Sequence, residues 1–166
     1  MSSANDLHIW PPEDQADRRW LEELWQREWG GDIMVSRGHV YRLTDLHALV
    51  AKLRDERVGA ATYRFDGVGG CELMSINATL GGHGIGSQLL GAVESEARAA
   101  GCQRVWMVTS NDNIDALRFY QRRGYRMTAV HSGAIDAARR IKPTIPRVSE
   151  DGIEIRDEIE LAKDLE

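Results

Sequence analysis

Leu80-Gly81-Gly82-His83-Gly84-Ile85-Gly86-Ser87-Gln88-Leu89-Leu90 decides how this chain is read, because four glycines fall within six residues directly before a helical pattern. Glycine lets the backbone turn sharply and brings its N–H groups close to a ligand. The first turn of the following helix adds unpaired N–H donors and the positive end of its dipole. The stretch therefore predicts an anion cradle with a phosphate-bearing guest. A plain flexible connection from strand to helix is the alternative. Upstream, Cys71-Glu72-Leu73-Met74-Ser75-Ile76-Asn77-Ala78 predicts a strand. Downstream, Leu89, Leu90, Val93 and Ala97 recur at helical spacing up to Gly101. The unit is thus strand, glycine loop, helix. Two nucleotide fingerprints fail here: no Lys follows the last glycine, as GxxxxGK[ST] demands, and the spacing G-G-x-G-x-G is not GxGxxG.

A chain of 166 residues with 42% hydrophobic and 28% charged residues is expected to form one soluble domain, 1–166. Its formal net charge of −5 argues against a nucleic-acid or anionic-membrane partner. With no apolar run of membrane-spanning length and no leader, a cytoplasmic protein is expected. Cys71 and Cys102 lack metal spacing and are taken as small core residues in a reducing compartment.

Along the chain, residues 1–6 are expected to fray, followed by a short strand Leu7–Trp10 and a helix over 13–29. The helix shows an apolar stripe at Trp20, Leu21, Leu24 and Trp25 and ends at Gly30-Gly31. Residues 32–47 predict a loop with at most one short helix. Strands follow at 48–54 and 58–65 around an Asp55-Glu56-Arg57 turn. After the glycine-loop helix, a buried strand over 104–109 should run parallel to 71–78, joined by the helical crossover. Asn111, Asp112 and Asn113 offer capping oxygens to a helix over 114–123, closed by Gly124. A strand over 125–130 and a helix over 134–140 come next. Residues 153–161 alternate, predicting a closing strand with Ile153, Ile155, Ile159 and Leu161 on one face and Glu154, Arg156, Glu158 and Glu160 on a wet one.

The glycine stretch resembles the acyl-CoA loop of the GNAT superfamily of N-acetyltransferases, [RQ]xxGx[GA], with Gly84 and Gly86 on its small positions. Gly81 stands where that pattern has Arg or Gln. Asn113-Ile114-Asp115-Ala116-Leu117-Arg118-Phe119-Tyr120-Gln121-Arg122-Arg123-Gly124-Tyr125 is similar to a second GNAT signature, N-x-x-A-x-x-F-Y-x-x-x-G-[FY]. Two signatures in the family's order are far harder to meet by chance than one. The resemblance implies an α/β GNAT-like acyl-CoA N-acyltransferase fold, a mixed, mostly antiparallel sheet of about seven strands with flanking helices. It implies acetyl transfer from acetyl-CoA, as co-substrate, to an amine. The backbone of Met74, Ser75 and Ile76 would hold the pantetheine arm. Gly81, Gly82, His83, Gly84, Ile85, Gly86 and Ser87 would hold the pyrophosphate, Asn113 the cofactor's arm, and Tyr120 the sulfur. No metal is implied.

Chemistry then asks for a base. An alkyl amine with an ordinary pKa of about 10.4 is neutral in fewer than roughly one molecule in a thousand at pH 7, a deficit of about 4–5 kcal/mol. Glu72 is the candidate, since period-two alternation puts it on the face of Met74 and Ile76. A solvated or salt-bridged carboxylate is the other reading, and His39 and His131 are weaker options for the base. The expected acceptor is a small-molecule amine. A protein lysine or N-terminus is the alternative, and a non-catalytic acyl-CoA-binding module the third. A homodimer is left open.

Overall fold

The structure, a computed structural model, describes residues 6–166; the fraying expected before Leu7 falls, save for Asp6, outside them. Strand β1 (Leu7–Trp10) leads into helix α1 (Gln15–Trp29). Asp14 caps this helix by accepting from the Asp17 amide at 2.8 Å, and Gly30, at φ 72°, ends it. Residues 32–47, expected as a loop, instead form a hairpin of β2 (Ile33–Ser36) and β3 (His39–Arg42), followed by one 3-10 turn, Leu43–Asp45. Its two-residue turn, Arg37-Gly38, has φ of 49° and 81°. That is type I′ geometry, which Asn-Gly or Asp-Gly would signal and Arg-Gly does not.

Next come β4 (His47–Leu53) and β5 (Glu56–Phe65). Their turn falls on Arg54 and Asp55, both at positive φ, one or two residues before the predicted position. Strand β6 (Gly70–Ala78) precedes α2 (Ile85–Ala99), β7 (Arg104–Ser110), α3 (Ile114–Gln121), β8 (Arg126–His131), α4 (Ala134–Ile141) and β9 (Glu158–Asp164). The predicted strand at 153–161 thus begins only at Glu158. Before it, Glu154 makes a single bridge with Val148, and the Asn111 side chain ties residues 154–157 down through the Glu154 carbonyl and the Arg156 and Asp157 amides. Those side-chain bonds take the place of a ladder.

The seven-stranded sheet runs β1-β4-β5-β6-β7-β9-β8, and β2-β3 is a separate pair. Among the described residues only β6 and β7 pair in parallel, as the α2 crossover requires. On one face, Ile85, Leu89, Leu90, Val93 and Ala97 of α2 are buried with Tyr120 and Tyr125 against the sheet. On the other, Leu21, Leu24 and Trp25 of α1 pack with Leu43 and Ala60. Strand β6 pairs with β7 only from Gly70 to Glu72, opposite Arg104–Trp106. Beyond Glu72 the two strands part, and the notch between them places the site.

Candidate active site

The donor side of the notch is mostly backbone. Past Glu72, the edge of β6 that faces β7 has no ladder partner, so its N–H and C=O groups are open to an extended, amide-bearing ligand. A bulge deepens this: Thr62 pairs with Ser75 and Tyr63 with Leu73, leaving Met74 as the extra residue. The bulge also corrects the expected alternation. Ile76 packs with Leu73 in the core under α2, whereas Glu72, Ser75 and Asn77 bond to Arg64, Thr62 and Trp29 respectively. Glu72 therefore does not share a face with Ile76.

At the end of β6 lies the glycine loop. Gly84, at φ 66°, is the N-cap of α2, and the first helical bond runs from the Gln88 amide to its carbonyl. The amides of Ile85, Gly86 and Ser87 consequently have no intrahelical acceptor. A Cβ built on Gly81, Gly82 or Gly84 meets nothing within 4 Å, while one on Gly86 would stand 3.4 Å from the Phe119 ring. The loop is thus an open cradle on one side and a close helix contact on the other. Residues 79–93 carry no acidic side chain. Open amides, an unpaired strand edge and the lack of negative charge fit a pyrophosphate with a pantetheine arm.

The second signature supplies two further candidate residues, Tyr120 and Asn113, on and at the start of α3. Tyr120 is 7% exposed, with no hydrogen bond to its hydroxyl among the described residues, and burial raises its pKa. It stays protonated and able to donate. Asn113 caps α3, accepting from the Ala116 amide at 3.2 Å, and is otherwise exposed. Of its neighbours, Asn111 clamps the tail instead of capping a helix, and Asp112 has a buried carboxylate oxygen with no partner among the described residues. His83 is exposed in the loop. Ser87 Oγ accepts from Arg123 Nε at 2.6 Å, a contact that the sequence did not signal.

The hairpin side, proposed below to take the acceptor, is by contrast built of side chains. Glu72 is 1% exposed. Its carboxylate accepts from Ser36 Oγ at 2.5 Å and from Arg64 Nε at 2.7 Å. Burial raises its pKa, although Ser36 and Arg64 both act to lower it. The predicted wet face of the last strand is the second correction: Glu158 and Glu160 are 2% and 8% exposed. Glu158 accepts from the Arg37 amide at 3.3 Å, and burial raises its pKa against that bond. Glu160 lies 3.5 Å from the Arg37 guanidinium and 3.1 Å from His131 Nε2. Three carboxylates from β6 and β9 thus clasp the tip of the β2-β3 hairpin. Arg64 reinforces it, its guanidinium 4.6 Å from the centre of the Tyr41 ring. Lys142 donates to the carbonyls of Trp29 and Ile33 and fixes the hairpin's base. His39, on β3 opposite Ser36, is exposed and takes no part in these bonds. Ser36, Arg37, Arg64, Glu158 and Glu160 were not anticipated. The hairpin, itself hidden by an Arg-Gly turn, brings Ser36 to Glu72 and Arg37 to Glu158 and Glu160, whereas Arg64 reaches Glu72 as its cross-strand partner on β5.

Comparison with known proteins completes the picture. The profile of the acetyltransferase (GNAT) family matches residues 5–125. The chain is 39% identical over 153 residues to the uncharacterized protein YdhI of Bacillus subtilis (strain 168), covering 92% of this chain and 95% of that one. Its fold matches an IAA acetyltransferase from Bacillus cereus with a TM-score of 0.72 at 22% identity, over 96% of this chain and 99% of that one. A GNAT family acetyltransferase from Elizabethkingia anophelis with acetyl-CoA bound matches with a TM-score of 0.69 at 23% identity, over 97% and 99%. The ribosomal-protein-S18-alanine N-acetyltransferase of Escherichia coli matches with a TM-score of 0.66 at 14% identity, over 95% and 93%. Among the described residues no helix is long and apolar enough to cross a membrane. With the family profile spanning most of its length and a relative at 39% identity along nearly all of it, this chain belongs to the GNAT acetyltransferases, acyltransferases that use acetyl-CoA.

Proposed function

We propose that this chain, as one domain in the cytoplasm, N-acetylates the primary amine of a small molecule. The observation that carries the reading is the covered acceptor side. The β2-β3 hairpin lies over Glu72, and the carboxylate beside the notch is 1% exposed. A protein lysine or N-terminus would need an open groove at that place. A small amine needs only a crevice, and an acidic lining suits its cationic form.

Acetyl-CoA supplies an activated acetyl thioester. The open edge of Met74, Ser75 and Ile76 holds its pantetheine arm as a neighbouring strand would. The amides of the loop from Gly81 to Ser87, including Ile85 and Gly86, neutralise its pyrophosphate. Asn113, whose Oδ1 caps α3, keeps its amide N–H groups for the arm. Glu72 takes the proton from the attacking amine, and its raised pKa moves it toward the range where a carboxylate serves as a base near neutrality. Ser36 and Arg64 orient that carboxylate. As the amine nitrogen bonds to the carbonyl carbon and the C–S bond breaks, the Tyr120 hydroxyl donates its proton to the leaving thiolate and is later reprotonated from solvent.

Release of free thiol from acetyl-CoA, followed with a panel of small primary amines and with peptides bearing a free N-terminus or a lysine, tests the proposal. Turnover with small amines and none with peptides is expected. Turnover confined to peptides would replace the small-molecule reading with a protein substrate.

A further inference from the structure

We propose that Arg123 is a binding residue for the pyrophosphate of acetyl-CoA, supplying the cationic side chain that Gly81 leaves out of the loop. This rests on the reading of residues 81–87 as the pyrophosphate cradle. Arg123 is half-buried between α2 and α3, its guanidinium 3.8 Å from the centre of the Phe119 ring. Nε donates to Ser87 Oγ at 2.6 Å, and an Nη to the Phe119 carbonyl at 2.9 Å. Both contacts are neutral. None of the ion pairs among the described residues includes Arg123, although nine other arginines find carboxylates. A guanidinium has five N–H donors, so two bonds leave three for a ligand.

Position adds direction to this spare capacity. Ser87 belongs to the first turn of α2, whose amides have no intrahelical acceptor, so the guanidinium is fixed one hydrogen bond away from the cradle. Residues 79–93 offer it no acidic partner. Stacking on Phe119 and the two bonds have already removed the side-chain freedom that a phosphate would otherwise have to freeze. A planar, permanently charged fork held in that place is suited to phosphate oxygens.

Calorimetry with CoA and with 3′-dephospho-CoA tests this, using Arg123→Met, which keeps the packing on Phe119 without the charge. The variant should bind both ligands about 10- to 100-fold more weakly, the loss of one charge-assisted contact. Its affinity should also depend less steeply on salt, and Arg123→Lys should recover part of the loss. S-acetylpantetheine, which has no phosphate, should be used with unchanged kcat/KM. Undiminished CoA affinity would overturn the proposal. So would an equal loss with S-acetylpantetheine, which would make Arg123 a clamp between helices, or a loss confined to CoA, which would assign it to the 3′-phosphate. Failure of the cradle reading itself would show separately, as unchanged CoA binding when Gly84 is blocked.

Discussion

The two walls of the notch are made from different materials. On the donor side, β6 and the glycine loop present backbone: an unpaired strand edge, a bulge at Met74 and the open amides at the start of α2. On the acceptor side, side chains from four strands meet: Ser36 from β2, Arg64 from β5, Glu72 from β6, and Glu158 and Glu160 from β9. A wall of backbone suits a ligand that every member of a family shares, because amides do not change with sequence. Side chains suit a ligand that differs from one member to the next. Under the proposed function, specificity therefore resides on the hairpin side.

That division can be broken from the donor side first. Gly84→Glu should abolish acetyl-CoA binding in calorimetry, since a bulky anion would stand in the cradle. The fold should survive, with a cost of about 1–2 kcal/mol for a side chain at φ 66°. Retained affinity would move the pyrophosphate elsewhere. Tyr120→Phe comes next. It keeps the ring packing and should lower turnover about 10²-fold, toward the weak end for an acid–base group. A thiol with a pKa of about 8.5 leaves acceptably as thiolate, so the deficit should shrink as pH rises. A deficit that grows with pH would make the hydroxyl a positioning group for the thioester.

A smaller effect sharpens the contrast between buried acids. Asp17 on α1 is 1% exposed, like Glu72. Burial pushes its pKa up, but the Glu13 amide, Arg57 at 2.8 Å and Lys52 at 3.0 Å outweigh that and hold it at about 2. Glu72, with one arginine and one hydroxyl, is raised. A pKa lowered by folding stabilises the protein above the unfolded value, and the contribution is lost as pH falls through the folded one. Asp17 should therefore contribute about 2 kcal/mol that disappears between about pH 4 and pH 2. Urea unfolding over that range should show the loss in wild type, and Asp17→Asn should remove this part of the slope. An unchanged slope would mean that Asp17 is not the paired anion it appears in this geometry.

Legibility in the sequence follows the same division. Backbone features leave local marks: four glycines before a helix, the spacing of Asn113, Phe119, Tyr120 and Gly124, and a period of two or of 3.6 in most elements. The strand, glycine loop and helix, and the parallel pairing of β6 with β7, could be read from those, whereas the place of β9 between β7 and β8 could not. The acceptor wall depends on pairs such as Ser36 with Glu72 and Arg37 with Glu158, which are 36 and 121 residues apart. Such distances leave no local pattern. Where local signals misled, the cause is specific. An Arg-Gly turn hid the hairpin, the Met74 bulge shifted the face of Ile76, and Glu158 and Glu160 looked like a wet face because their covering hairpin is remote in sequence.

If the two walls do separate work, removing the chemistry from one should leave the other intact. Glu72→Gln, assayed for acetyl-CoA affinity by calorimetry and for acetyl transfer over roughly pH 6–9, should lose about 10²–10⁴-fold in turnover. Its donor affinity should stay within about twofold of wild type, because none of the groups proposed to hold that ligand is the Glu72 carboxylate. Turnover close to wild type throughout, or affinity falling in step with turnover, would contradict the account.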